Sequence, residues 1–172
     1  MIILILGGAR SGKSSYAVEI AKKLSKKVVF IATATSPDEE MKERIKLHRL
    51  KRPKYWKVIE QGKDIELVLP ALKGKFEVVI IDCIGLFISN LLAENLNDKE
   101  IQERIQRFID AILKSNLTTI IVSNEVGMGI VPDNLLARRF RDLTGIANQL
   151  IARESDEVIF MQAGIPLKLK NK

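Results

Sequence analysis

Gly7-Gly8-Ala9-Arg10-Ser11-Gly12-Lys13-Ser14 follows directly on the apolar run Ile2-Ile3-Leu4-Ile5-Leu6. The octet fits G-x-x-x-x-G-K-[ST], a loop whose chemistry is phosphate binding. Glycines let the backbone curl so that successive N–H groups point inward at phosphate oxygens. Lys13 then reaches the β- and γ-phosphates, and the Ser14 hydroxyl ligates Mg²⁺. The whole octet forms the expected nucleotide-binding set, with Lys13 its catalytic member. A helix-forming stretch, Ser15 to Leu24, follows the loop and adds the partial positive charge of its N-terminus.

Asp82 closes a second apolar run, Val78-Val79-Ile80-Ile81. A carboxylate there is the usual partner of the loop Ser/Thr in holding Mg²⁺, although strands also end in Asp for turn chemistry alone. His48 is the sole histidine. It falls in the basic stretch from Lys42 to Lys57, where eight Lys and Arg face the single acid Glu43. On a helix opened by Ser36, Met41, Ile45 and His48 share one face. Two readings stand for His48. One is a solvated or half-buried side chain without a special role. The other is a nucleophile, kept neutral by Arg44, Arg49 and Arg52, that attacks phosphorus in a triphosphate held by the same guanidinium groups.

A third cluster is Asn124-Glu125-Val126-Gly127-Met128-Gly129-Ile130-Val131-Pro132. It joins a strand to a helix, and a loop at the C-terminal end of a parallel strand faces the ligand crevice. Asn124 and Glu125 are its candidate functional residues; the alternative is an ordinary connection. Arg138, Arg139, Arg141 and Asp142, on the next helix, read as a solvated charged face.

The elements that must position these residues alternate between strand and helix. Short runs at Ile2–Leu6, Val28–Ala32, Trp56–Glu60, Val78–Asp82, Thr118–Ser123 and Glu157–Met161 are rich in Val and Ile. Several lack a period of two, as in strands buried on both faces of a parallel sheet. Ser36-Pro37-Asp38-Glu39 is a helix start. Asn97 or Asp98 caps another helix, whose stripe is Ile101, Ile105, Phe108, Ile109 and Ile112. A third starts near Pro132 and runs towards Ser155. The pattern is one α/β domain over residues 1–172, a mainly parallel sheet with helices on both faces.

Composition agrees with this class. The 172 residues carry a net charge of +7, which suits phosphorylated small molecules, nucleic acid or an anionic surface. No apolar stretch reaches the ~20 residues of a membrane span, and Cys83 to Leu92 is the longest candidate. Met1 to Leu6 lacks the features of a signal peptide. The lone cysteine, Cys83, rules out an intramolecular disulfide and agrees with a reducing cytoplasm.

Taken together, the residues resemble the bifunctional adenosylcobinamide kinase/adenosylcobinamide-phosphate guanylyltransferase family of cobalamin biosynthesis. The likeness runs nearly end to end. It takes in Gly7–Ser14, Ile31-Ala32-Thr33-Ala34, Asp38-Glu39-Glu40-Met41, Arg44-Ile45, His48, Arg52-Pro53, Trp56, Glu60 and Asp82-Cys83. It continues through Ser89-Asn90-Leu91-Leu92, the loop from Asn124 to Pro132, Arg138, Phe140-Arg141-Asp142, Gly145, Asn148-Gln149 and Gly164-Ile165-Pro166. The NEVGMGIVP run is far more specific than the phosphate loop.

The resemblance implies two reactions: phosphorylation of adenosylcobinamide by ATP or GTP, then transfer of GMP from GTP onto that phosphate with release of pyrophosphate. It implies a guanylylated histidine, a role only His48 can fill here. Ala32, Thr33, Ala34, Arg49, Leu50, Lys51, Arg52, Glu60 and Asp82 become nucleotide contacts, and Ser14 and Asp82 the Mg²⁺ ligands. A RecA-like P-loop fold and a homotrimer are implied as well, with a corrinoid and nucleoside triphosphates as partners, no nucleic acid and no membrane span. Gly85 and Phe87 depart from the pattern, where Thr and Trp are expected. A P-loop kinase without the histidine step is the nearest alternative; a basic RecA-like nucleic-acid module is the other.

Overall fold

In the computed structural model, residues 1–34 and 52–171 are described. Seven strands form one sheet in the order β3-β2-β4-β5-β1-β6-β7. They are β1 (Ile2–Gly7), β2 (Val28–Ala32), β3 (Lys57–Glu60), β4 (Val78–Asp82), β5 (Thr118–Val122), β6 (Glu157–Gln162) and β7 (Ile165–Asn171). All neighbours are parallel except β6 and β7, which pair antiparallel. The α-helices are α1 (Lys13–Leu24), α2 (Ile65–Val68), α3 (Ile84–Leu92), α4 (Asp98–Ser115) and α5 (Leu135–Glu154), with a 3₁₀ turn at Leu69–Leu72.

The alternation of β1 divides the core. Ile2, Leu4 and Leu6 pack with residues of α3, α4 and α5 on one face. Ile3 and Ile5 pack with Ala17, Val18 and Ala21 of α1 on the other. Helices therefore cover both faces, which is why β1 is buried at every position and carries no polar residue. The run from Cys83 to Leu92 is the buried helix α3. Its Phe87 is fully buried and packs on Phe108 of α4, ring centroids 5.6 Å apart.

Most expected elements recur with ends shifted by one to three residues. Asn97, rather than Asp98, caps α4: its side chain accepts from Glu100 N–H while Glu100 accepts from Asn97 N–H. Helix α5 begins at Leu135 with Asn134 as cap, a little after Pro132. Strand β7 was not among the expected runs. The helix opened by Ser36, with Met41, Arg44, Ile45 and His48, lies outside the described residues, as do Arg49, Leu50 and Lys51.

Candidate active site

Register sets the geometry of the site. Glu60, Ala32, Asp82, Val122 and Ile5 form one row across β3, β2, β4, β5 and β1. At about 4.8 Å per strand, Asp82 lies roughly 10 Å and Glu60 roughly 19 Å along the row from β1. Every one of these residues is at or near the C-terminal end of its strand, where a parallel sheet binds ligands.

The phosphate loop opens at Gly7, whose φ is 148°. A Cβ there would collide with the Met161 carbonyl oxygen and sit 2.8 Å from Ser11 Oγ. Gly12 closes the loop at φ 97° as the cap of α1. Arg10 also adopts a positive φ, 56°. Lys13, the first residue of α1, is buried, and its Nζ donates to the Gly8 carbonyl at 2.6 Å. The first turn of α1 has no acid, and its last turn carries Lys22 and Lys23. The positive end of the helix dipole is thus left for an anion. Gly164 N–H, in the β6–β7 turn, donates to Ser11 O at 3.1 Å and braces the loop from outside.

Asp82 Oδ2 is buried with no hydrogen-bond partner among the described residues. An orphaned carboxylate oxygen is costly unless something else satisfies it, and a divalent cation fits that need. Next to it, burial and then the Asp82 charge push the Cys83 thiol up to about 11; this thiol is not a nucleophile at neutral pH.

Thr33, expected to touch nucleotide, is fully buried. Its hydroxyl donates to Cys83 O at 2.8 Å and accepts from Cys83 N–H at 2.7 Å. Its N–H donates to Asp82 O, and its carbonyl accepts from Asn90 Nδ2. Through these bonds Thr33 braces the Asp82–Cys83 turn. Ala32 and Ala34, on either side of it, are half-buried.

Beyond β2, an open cleft of about 390 Å³ is lined by Arg52, Pro53, Lys54, Trp56, Val58 and Glu60. Arg52 lies over the Phe30 ring, Cζ 3.4 Å from its centroid, and Trp56 Nε1 is buried without a hydrogen-bond partner among the described residues. Two members of the expected set, Arg52 and Glu60, therefore share one cleft.

This layout belongs to a known group of enzymes. A model of the family described as "Cobinamide kinase / cobinamide phosphate guanyltransferase" matches residues 3–169. The chain belongs to that family. It is 38% identical over 182 residues to the "Bifunctional adenosylcobalamin biosynthesis protein CobU" of Escherichia coli (strain K12), covering 99% of this chain and 100% of the relative. The protein of that name from Salmonella typhimurium is 37% identical over 182 residues, with the same coverage. "Bifunctional adenosylcobalamin biosynthesis protein CobP" of Pseudomonas aeruginosa is 37% identical over 169 residues, covering 98% of this chain and 97% of the relative.

Within this cobinamide kinase/guanyltransferase, Arg138 and Arg139 at the start of α5 are tethers, whereas Arg141 pairs with its neighbour Asp142 at the surface as a charged face does. Arg138 Nη1 donates to the carbonyls of Pro132 and Asp133. Arg139 holds Asp98 and the Leu96 carbonyl. Asn148 is a support that spacing did not single out. It accepts from Ser123 Oγ at 2.6 Å and donates to Asn124 O at 3.0 Å, fastening the end of β5 to α5. At Gly85 an added Cβ would meet Asn124 Nδ2 at 3.4 Å and Phe140 at 3.6 Å, so α3 packs closely there.

Proposed function

We propose that this chain phosphorylates adenosylcobinamide with ATP or GTP and then transfers GMP from GTP to the product, giving adenosylcobinamide-GDP and pyrophosphate. The observation carrying the first step is a formed phosphate loop together with an Asp82 oxygen that has no hydrogen-bond partner among the described residues, both at the C-terminal end of the sheet. Lys13 and the loop N–H groups hold the β- and γ-phosphates and offset the charge that shifts onto the leaving oxygen. Ser14 and Asp82 are the residues that would hold Mg²⁺, which would supply neutralisation of the phosphate charge.

In the second step the His48 imidazole attacks the α-phosphorus of GTP, forming a P–N bond as pyrophosphate departs. The phosphate of the cobinamide intermediate then displaces the imidazole. Two in-line displacements leave the configuration at phosphorus unchanged. In sequence, His48 falls between Ala34, two residues past β2, and Arg52, which lines the cleft of Glu60. A carboxylate accepts two hydrogen bonds side by side; guanine offers N1–H and N2–H in that spacing, so Glu60 supports GTP as the guanylyl donor. Arg49, Leu50, Lys51 and Arg52 complete the grip on that nucleotide.

We assign the enzyme to the cytoplasm and to a homotrimer. The lone buried cysteine supports the first, and no described helix is long and apolar enough to cross a membrane. For the second, the edge strand β7 exposes Ile165, Leu167 and Leu169, a surface that favours association.

Incubation with α-labelled GTP tests the histidine step. Acid-labile label should appear on the wild-type chain and vanish in His48→Ala, while phosphorylation of adenosylcobinamide continues. Label that persists in the variant refutes His48 as nucleophile; a wild type that phosphorylates but takes up no label is a kinase alone.

A further inference from the structure

The kinase step needs a group to take the proton of the acceptor hydroxyl, and the residues assigned so far do not supply one. Lys13 is cationic, and Asp82 is committed to the metal. Glu60 lies about 19 Å along the sheet from the phosphate-loop strand. We propose that Glu125 is this proton acceptor, an inference that rests on the kinase reading above.

The sheet order places it. Strand β5 is inserted between β1, which leads into the phosphate loop, and β4, which ends in Asp82. Whatever follows β5 therefore emerges between the two. Pairing with β1 continues past the strand's end: Ser123 N–H donates to Ile5 O at 2.9 Å and Glu125 N–H to Gly7 O at 3.0 Å. The Glu125 backbone thus lies one strand spacing, about 4.8 Å, from the first glycine of the phosphate loop. From the other side Asn148 holds Ser123 and Asn124. Both neighbours fix the backbone before the side chain begins.

The carboxylate is held as well. Gly127 N–H donates to Glu125 Oε1 at 2.6 Å. A Cβ at Gly127 would come within 3.0 Å of that oxygen, so glycine lets the loop wrap the carboxylate. Oε2 takes no hydrogen bond among the described residues, and the side chain is half-buried. One oxygen is anchored and the other is left to accept a proton.

In the step, the acceptor oxygen bonds to the γ-phosphorus as the bond from that phosphorus to the β,γ-bridging oxygen breaks. The nucleoside diphosphate leaves with that electron pair, and the hydroxyl proton passes to Glu125. Guanylyl transfer differs in one chemical respect: its acceptor is already a phosphate anion and has no proton to lose. Loss of Glu125 should therefore separate the two reactions.

Glu125→Gln keeps an oxygen for Gly127 N–H and removes the base. The full-length variant would be assayed for adenosylcobinamide phosphorylation, and separately for pyrophosphate release from GTP with preformed adenosylcobinamide phosphate. Kinase kcat should fall about 10²–10³-fold with nucleotide KM and guanylyl transfer unchanged. Kinase kcat within about threefold of wild type overturns the proposal, since a general base contributes more than that. So does a parallel loss of both transfers, which would mark the residue as structural. A wild type unable to phosphorylate adenosylcobinamide refutes the kinase reading itself, and the proposal with it.

Discussion

Replacing Thr33 by valine tests whether this residue supports the site or touches the nucleotide. Valine matches threonine in shape but lacks the hydroxyl that bonds both polar groups of the Cys83 backbone. After the change, Cys83 O still accepts from Phe87 N–H at 3.2 Å. Cys83 N–H, buried beneath the start of α3, keeps nothing. An orphaned buried donor costs ~1–3 kcal/mol and a lost buried hydrogen bond ~1 kcal/mol, together about 3 kcal/mol. For a chain of this length that lowers the unfolding midpoint by roughly 6–12 °C. Asp82 precedes the loosened peptide, so kinase kcat should also fall about 10–100-fold, with nucleotide KM little altered. Thermal unfolding followed by circular dichroism, together with steady-state kinetics, reads both effects. A midpoint within about 2 °C of wild type, accompanied by a sharply raised nucleotide KM, would refute the reasoning and return Thr33 to the binding set.

Two other outcomes follow from the same geometry. Gly7→Ala places a Cβ against the Met161 carbonyl and Ser11 Oγ at a φ of 148°; backbone strain and overpacking together should destabilise the fold by about 3–5 kcal/mol, seen in denaturant unfolding, and nucleotide binding should weaken with it. Burial and the neighbouring Asp82 hold the Cys83 thiol up at about 11, whereas the unfolded thiol titrates near about 8.5. Between those values the unfolded chain has released a proton that the native chain keeps, so stability falls as pH rises through that window. Cys83→Ala should lack this component, and urea midpoints that decline equally in both proteins from about pH 8 to 11 would contradict it.

Much of the architecture was legible because burial on both faces of a parallel sheet leaves a plain trace. Runs such as Val78–Ile81 admit few other readings, and the carboxylate ending that run could be placed beside the phosphate loop from sequence alone. Strand β7 was less visible. Its Ile165-Pro166-Leu167-Lys168-Leu169-Lys170 pattern alternates, but it carries a proline, which strands tolerate mainly at an edge, and its apolar side chains are exposed. The signal that could have revealed it is Ala163-Gly164, at φ 51° and 82°, a two-residue hairpin turn. The role of Thr33 was hidden for another reason. A residue that binds ligand and one that holds the binder look alike in a motif, and only the hydrogen-bond partners distinguish them. Asn148 entered only through the family likeness, and its role stayed unread because its contacts reach across 24 and 25 residues.

The bracing of the phosphate loop by the β6–β7 turn carries a consequence for how the molecule comes into being. Gly7 and Ser11 leave the ribosome well before Met161 and Gly164, the residues that lock them, which follow about 150 positions later by the numbering. Strand β1 likewise finds its neighbours only in β5 and β6. A nascent chain therefore carries its phosphate-loop motif long before that motif has a shape. Nucleotide can reward only a finished molecule; it stabilises the completed fold by mass action and offers no foothold to a half-made one.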